Sequence, residues 1–265
     1  MHYRQSMRIV SLACSNTEIV AALGCADLLV GVDDHSDFPA SALAPLPRVG
    51  PDLEIDIGRV AELEPDLVLA SLTVPGHETV VEGLEAAGLP HLTLAPTSLD
   101  DVYANVALVA ERLGVPERGR HLVARMRSEL ERAPAGQPQD GVPSILVQWW
   151  PRPVIAPGRR SWVQQLIAAA GGRNPLEHED RPSRPLEDEE VAALDPDAIV
   201  LSWCGVDPAK YRPDVLYRNP VFSGLAAVRA GRIYCIPEAY LGRPGPRLVQ
   251  GVRALRQVVA AGRAT

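Results

Sequence analysis

The side chains of this sequence best equipped for chemistry fall in a few short segments. His35 stands in Asp33-Asp34-His35-Ser36-Asp37, where an imidazole among carboxylates could ligate a metal ion or act as a general base. The same spacing also suits a solvated polar loop. His77 follows Pro75-Gly76 and reads as a loop residue, and the EHEDR stretch around His178 reads as a solvated acidic loop. Cys14, Cys25, Cys204 and Cys235 show neither a CxxC spacing nor the framework of a small disulfide-rich domain, so four free thiols in a reducing compartment are expected. There is no GxSxG elbow, no P-loop and no GxGxxG following a strand. No catalytic residue, no metal site and no catalytic cofactor are therefore assigned, and a non-catalytic protein is expected.

A second set of side chains suits binding rather than catalysis. Aromatic residues make up 5% of the chain, yet Trp149, Trp150 and Trp203 all fall at the predicted ends of strands. Aromatic side chains there, with a polar rim, suit a large ligand with flat or apolar faces. Adjacent strand residues face opposite ways, so at most one of Trp149 and Trp150 can point toward such a ligand. In open parallel sheets ligands lie beyond the carboxyl ends of the strands. Reading outward from those ends collects Cys14, Ser15 and Asn16, the loop from His35 to Phe38, the three tryptophans, and the segment from Tyr240 to Arg243. Either Trp149 or Trp150 could equally pack the core.

The elements that must position these residues are visible as an internal repeat. VAELEPDLVLAS (Val60–Ser71) is echoed by VAALDPDAIVLS (Val191–Ser202). Each copy reads as a short helix stopped by proline, then a buried strand ending at serine. Upstream of the first copy, RIVSLA (Arg8–Ala13) is a strand leading into Ser15-Asn16-Thr17-Glu18, where Ser15 and Glu18 match a capping box, and that helix should stop at Gly24. A further strand is expected over Leu28–Val32. Upstream of the second copy, SILVQW (Ser144–Trp149) is a strand, and a helix opens at Ser161 and stops at Gly171-Gly172. A helix over Asp100–Leu113, capped by Ser98 or Asp100, closes the first half. Glu117–Arg132, with apolar Leu122, Met126 and Leu130, predicts a helix about 24 Å long that could bridge two domains. Ala133–Pro143, rich in proline and glycine, reads as a linker loop. The expected architecture is α/β: two similar lobes with parallel-rich sheets flanked by helices, joined by a single long backbone helix, with the ligand cleft between the lobes. The boundaries are residues 1–115, 116–133 and 134–265.

Composition closes off other classes. The chain has 265 residues, 46% hydrophobic and 22% charged, which suits an ordinary globular protein with two modest cores. A net charge of −7 with scattered arginines argues against a nucleic-acid partner. No apolar run approaches the ~20 residues of a membrane span. Nothing before Arg8 resembles a signal peptide, so the chain as written predicts a cytoplasmic protein, and an extracytoplasmic one if a leader has been removed. A monomer is expected.

These same segments resemble a known family. IVSLACSNTEIVAALGCADLLVGVDDHSDFP, LPRVG, PDLVLAS, the PSR of Pro182–Arg184, DPDAIVLSWCG and RPGPRLVQG (Arg243–Gly251) are together similar to the helical-backbone solute-binding proteins of metal-chelate ABC importers, closest to the cobalamin-binding group. The resemblance runs from Arg8 through nearly the whole chain. It implies a corrinoid ligand held between the lobes, contacted by His35–Phe38 and Tyr240–Arg243, and an ABC permease as partner. Importer-linked members carry a tryptophan near the position of Pro51-Asp52 and another near Ser183, and this chain has neither. They also present one glutamate per lobe to the permease; here Glu189 is the candidate in the second half, and the repeat aligns it with Gly58, leaving Glu54, Asp56 or Glu62 as substitutes in the first. The same scaffold hosts haem, ferric siderophore and metal-ion binders. A cytoplasmic corrinoid-handling enzyme or sensor is a third reading.

Overall fold

The computed structural model describes residues 7–132 and 141–262. The chain gathers into two compact units, residues 1–125 and 126–265, and the division falls inside the helix Pro116–Leu130. Leu122, Met126 and Leu130 are all buried along that helix, as their spacing predicts. Most of the expected linker, 133–140, lies outside the described residues.

The first unit runs β1 (Ile9–Ser11), α1 (Cys14–Ala22), β2 (Leu29–Val32), α2 (Ala40–Leu43), α3 (Ile57–Glu62), β3 (Leu67–Ser71), α4 (His77–Ala86), β4 (His91–Leu94), α5 (Leu99–Arg112) and the start of α6 (Pro116–Leu130). Its four strands form a parallel sheet in the order β2-β1-β3-β4. Every residue of β1 and β3 is buried, which is why these strands read as continuous apolar runs rather than as alternation. On one face Val10, Leu12, Val68 and Ala70 pack against Val60 of α3 and Val80 and Leu84 of α4.

The second unit continues with β5 (Ile145–Gln148), β6 (Trp150–Pro151), β7 (Val154–Pro157), α7 (Trp162–Ala169), β8 (Ser183–Leu186), α8 (Asp188–Leu194), β9 (Ala198–Leu201), α9 (Asp214–Arg218), α10 (Ala226–Arg229), β10 (Ile233–Cys235), α11 (Glu238–Leu241) and α12 (Leu248–Gly262). β10-β9-β5 is a parallel sheet with its own core, including Leu146, Ile199, Leu201, Val191 and Phe222. An antiparallel sheet, β6-β7-β8, leaves it at Trp149, whose amide donates to Ile155 O at 2.8 Å. This second sheet is not legible in the sequence, because its strands are two to four residues long and interrupted by Pro151, Pro153 and Pro157.

The sequence repeat has a structural counterpart, atom for atom. Glu64 and Asp195, each just before a proline, both take a left-handed conformation (φ 46° and 38°) that non-glycine residues seldom adopt. The aspartate two residues on then fastens the start of the neighbouring strand. Asp66 Oδ2 accepts from Arg8 N at 2.7 Å, and Asp197 Oδ2 accepts from Ser144 N at 2.7 Å. Each aspartate also returns its own amide to that residue's carbonyl, at 2.8 Å in both units. The strand registers then align Ile9 with Ile145 and, three residues on, Leu12 with Gln148.

Helix ends follow the sequence in most places. Ser98 Oγ accepts from Asp101 N and caps α5, Ser161 Oγ accepts from Val163 N and caps α7, and Gly24 and Gly171 end their helices with positive φ. The expected capping box at Ser15 and Glu18 does not form. α1 begins one residue earlier, at Cys14, with Ala13 as its N-cap and no side-chain cap. Ser15 and Glu18 are instead buried within the helix.

Candidate ligand-binding surfaces

In the first unit the carboxyl ends of the strands carry a loop held from beneath by a buried polar network. Ser11, Thr17, Asp33 and Ser36 are all essentially inaccessible. Thr17 Oγ1 lies 2.8 Å from Ser11 Oγ and 2.7 Å from Ser36 Oγ, and Ser36 Oγ donates to Asp33 Oδ1. Asp33 Oδ2 accepts the backbone amide of His35 at 3.0 Å, while Arg48 reaches the carbonyls of Asp33 at 2.9 Å and Ser36 at 2.6 Å. Burial pushes the Asp33 carboxyl above its ordinary value, against the pull of the Ser36 hydroxyl and the His35 amide. This network fixes the segment from which His35 and Phe38 project into solvent.

Beside that loop, Asp52 stands between two imidazoles. Its Oδ2 is 3.5 Å from His77 Nε2 and its Oδ1 is 3.6 Å from His35 Nε2. Gly50 makes this possible: it sits at φ +104°, and a Cβ there would stand 2.6 Å from Glu54 O in the tight turn that carries Asp52. The His77 imidazole holds the Asp52 carboxyl below its ordinary value, against partial burial, and His35 adds to the effect. His77 corrects the sequence reading. It is the first residue of α4 and 4% exposed, and its Nδ1 accepts from Val74 N at 3.4 Å. Among the described residues no group of three or more His, Cys, Asp and Glu side chains is placed to hold a metal ion.

Around these polar groups the surface is apolar. Phe38, Leu53, Leu72 and Val74 are 47%, 45%, 38% and 41% exposed, and they are the large hydrophobic side chains left exposed among the described residues of this unit. All four lie in loops at the carboxyl end of the sheet, and Leu53 abuts the turn at Gly76. Exposed apolar side chains of this size in neighbouring loops make this end of the sheet a candidate binding surface. Cys14 is half-buried at the start of α1, whereas Ser15 and Asn16 are buried and Asn16 Nδ2 donates to Ala70 O at 3.0 Å. Asn16 thereby holds α1 to β3, and neither side chain is presented to solvent.

In the second unit the corresponding end is aromatic. Trp149 turns inward, its ring 6.4 Å from that of Trp162, and Trp150 is 42% exposed on β6. The opposite orientations expected of adjacent strand residues are therefore seen. Trp203 is buried in the core, 5.4 Å from the ring of Tyr211. Tyr211 missed notice in the sequence, yet it ties the region together. Its hydroxyl donates to Trp203 O at 3.2 Å and accepts from Glu238 N at 3.1 Å. Burial pushes its phenol up to about 12, so the group is neutral at physiological pH.

The segment Glu238–Arg243 is held from several sides. Arg243 Nε donates to Glu238 Oε2 at 3.0 Å, and both side chains are largely buried. Arg247 lies over the Tyr240 ring at 4.9 Å, and Trp162 Nε1 donates to Leu241 O at 2.7 Å. Gly251 lets α12 press on the Tyr240 carbonyl, where a Cβ would collide with it. The acidic stretch around His178 is not wholly solvated as expected. Glu179 receives Arg184 at 2.7 and 2.8 Å, a two-pronged pair that holds its carboxyl below the ordinary value. None of the four cysteines is joined in a disulfide, and Cys204 and Cys235 are exposed. Glu189 is exposed at the second position of α8, and Gly58 occupies the same position of α3. Among the described residues no helix is long and apolar enough to cross a membrane.

Known proteins share this organisation. The chain is 28% identical over 263 residues to the ABC transporter substrate-binding lipoprotein YvrC of Bacillus subtilis, covering 97% of this chain and 81% of that one. It is 28% identical over 198 residues to the vitamin B12-binding protein of Vibrio campbellii, covering 74% of this chain and 71% of the relative. The crystal structure of a periplasmic heme binding protein from Pseudomonas aeruginosa superposes with a TM-score of 0.83 at 31% identity, covering 98% of this chain and 93% of that one. The profile of the periplasmic binding protein family matches residues 9–240, a span that takes in both parallel sheets and both copies of the repeat, and the chain belongs to that family.

Proposed function

We propose that this protein captures a corrinoid, cobalamin-like ligand without transforming it, as the solute-binding component of an ABC importer working outside the cytoplasm. The observation that carries the reading is the gathering of Phe38, Leu53, Leu72 and Val74 around His35 and Asp52 at the carboxyl end of the first sheet. A large macrocycle with apolar faces and a polar rim matches that surface. The vitamin B12-binding relative supports the choice of ring. The exposed Glu189 is the natural contact for a permease, and Gly58 offers no charge at the equivalent place.

Haem is the second reading. It is favoured by the exposed His35 imidazole, a side chain able to ligate iron, and by the 31% identical heme binding protein. Titration of the purified protein with cobinamide, cobalamin and hemin, followed by absorbance, separates the two. A corrin spectrum perturbed at low micromolar ligand supports the proposal. No corrinoid binding at tens of micromolar, with a shifted Soret band on adding hemin, replaces it with the second reading.

A further inference from the structure

Within the first unit a cavity of about 300 Å³ opens between the end of α1 and one face of α6. The α6 wall is Arg118, His121, Leu122 and Arg125, spaced so that all four share one face of the helix. The opposite wall is Leu23 and Gly24, with the last alanine of α1. Three basic side chains and no acidic one line the cavity, in a chain whose net charge is −7. It lies away from the exposed apolar loops. α1 leaves the carboxyl end of β1, and β2 pairs in parallel with β1 from Leu29 on, so residues 24–28 stand at the amino end of the sheet.

The fold accounts for one of the three basic groups. Arg118 Nη1 donates to Leu23 O at 3.0 Å and Gly24 O at 3.1 Å, carbonyls left over where α1 ends. Gly24, at φ +68°, admits the guanidinium; a Cβ there would stand 3.2 Å from Nη1. Both bonds come from a single nitrogen, so Nη2 and Nε of a firmly held fork remain without an acceptor among the described residues. The fold does not account for the other two. Arg125 is exposed and makes no hydrogen bond or ion pair among the described residues. His121 makes no hydrogen bond among them either, and the Glu117 carboxylate one turn before it is paired with Arg120.

The donors narrow the occupant. A guanidinium donates and never accepts, and it carries its charge at every physiological pH, so the cavity calls for an anion. A planar carboxylate has two oxygens and is satisfied by one arginine fork. A phosphate group offers three terminal oxygens and can take both forks and an imidazole N–H together. At ~30 Å³ per water the cavity has room for about ten waters, enough for a phosphate and a small group attached to it. We infer that this cavity binds a small phosphate-bearing anion, at a site separate from the candidate ligand surface. The inference stands independently of the corrinoid reading.

The test is calorimetric titration of the whole protein with inorganic pyrophosphate in a phosphate-free buffer of low ionic strength, beside co-sedimentation with phosphatidylglycerol vesicles. The wild type should bind pyrophosphate with a Kd below about 1 mM. Arg125→Gln should weaken binding at least about tenfold, through the loss of charge-assisted bonds, with an unchanged melting temperature because Arg125 has no partner to lose. Arg127→Gln removes the same charge about 200° around the helix, at a residue paired with Glu131, and should bind as the wild type does. If Arg125→Gln does not fold, His121→Ala should weaken binding several-fold. Sedimentation with vesicles that depends on Arg125, without heat from pyrophosphate, also supports the site and makes the phosphate that of a lipid headgroup. Wild type that binds neither probe, or equal losses in Arg125→Gln and Arg127→Gln, overturns the site and leaves Arg125 and His121 as solvated surface groups.

Discussion

Replacing Tyr211 by phenylalanine removes one oxygen and nothing else, which makes its consequence calculable. The ring stays in place against Trp203, so the apolar burial of a side chain that is 5% exposed is conserved. Two hydrogen bonds go. Trp203 O keeps a second donor, Val206 N at 3.4 Å, so its loss is partly covered. Glu238 N is in the first turn of α11, where amides have no intrahelical acceptor, so losing Tyr211 is the more serious loss there. A neutral hydrogen bond contributes about 0.5–1.5 kcal/mol, and a stranded buried group costs toward ~2 kcal/mol. The sum is about 2 kcal/mol, or a melting temperature lower by roughly 4–8 °C for a protein of this size. Because the phenol is pushed up to about 12, the deficit should be flat across neutral pH. Calorimetry gives the melting shift, and amide hydrogen exchange should show Glu238 N–H protected less than in the wild type. A melting temperature within about 1 °C of wild type, with unchanged exchange at Glu238, would refute the view that Tyr211 ties the end of β9 to the segment Glu238–Arg243.

Two further predictions follow from the same geometry. Asp66→Ala and Asp197→Ala each remove the acceptor of one strand-starting amide, so each should cost about 1 kcal/mol in denaturant unfolding, with the asparagine variants recovering most of it; costs that differ greatly between the two would show that the fasteners are not equivalent. The carboxyls of the first unit should respond oppositely to pH. Burial raises Asp33, so its ionised form disfavours folding and that penalty fades as pH falls toward its ordinary value of 3.8; Asp33→Asn should therefore gain on the wild type as pH rises. Asp52 is lowered, so its contribution is full above 3.8 and is lost as pH falls through its folded value; Asp52→Asn should be costly at pH 7 and nearly neutral in strong acid. Urea melts of both variants across pH 3–8 would reveal a reversed slope for either one.

What could be read from the sequence was whatever depends on neighbours in the chain. The proline-stopped helices, the serine caps at Ser98 and Ser161, the glycine stops and the buried runs of β3 and β9 are local patterns, and they recur in the structure within a residue or two. The errors come from partners far away in the chain. His77 looks like a loop residue until the turn at Gly50 delivers Asp52 to it from 25 positions upstream. Trp203 looks like a free strand-end aromatic until Tyr211 folds back over it. Ser15 and Glu18 match a capping box in spacing alone, and a helix that begins one residue sooner puts both in the interior.

The same distinction explains where the two halves diverge. Residues that start the strands must meet an identical demand in both units, so Asp66 and Asp197 make one bond at one distance. Nothing in the sheet dictates what stands three residues later. There the first unit has Leu12 where the second has Gln148, and on the helices Gly58 where the second has Glu189. The copies are held alike by their strand starts and are free to differ at their strand ends and helix tips. A binding residue in such a fold is best sought as a mismatch between repeats that sits on a matched frame.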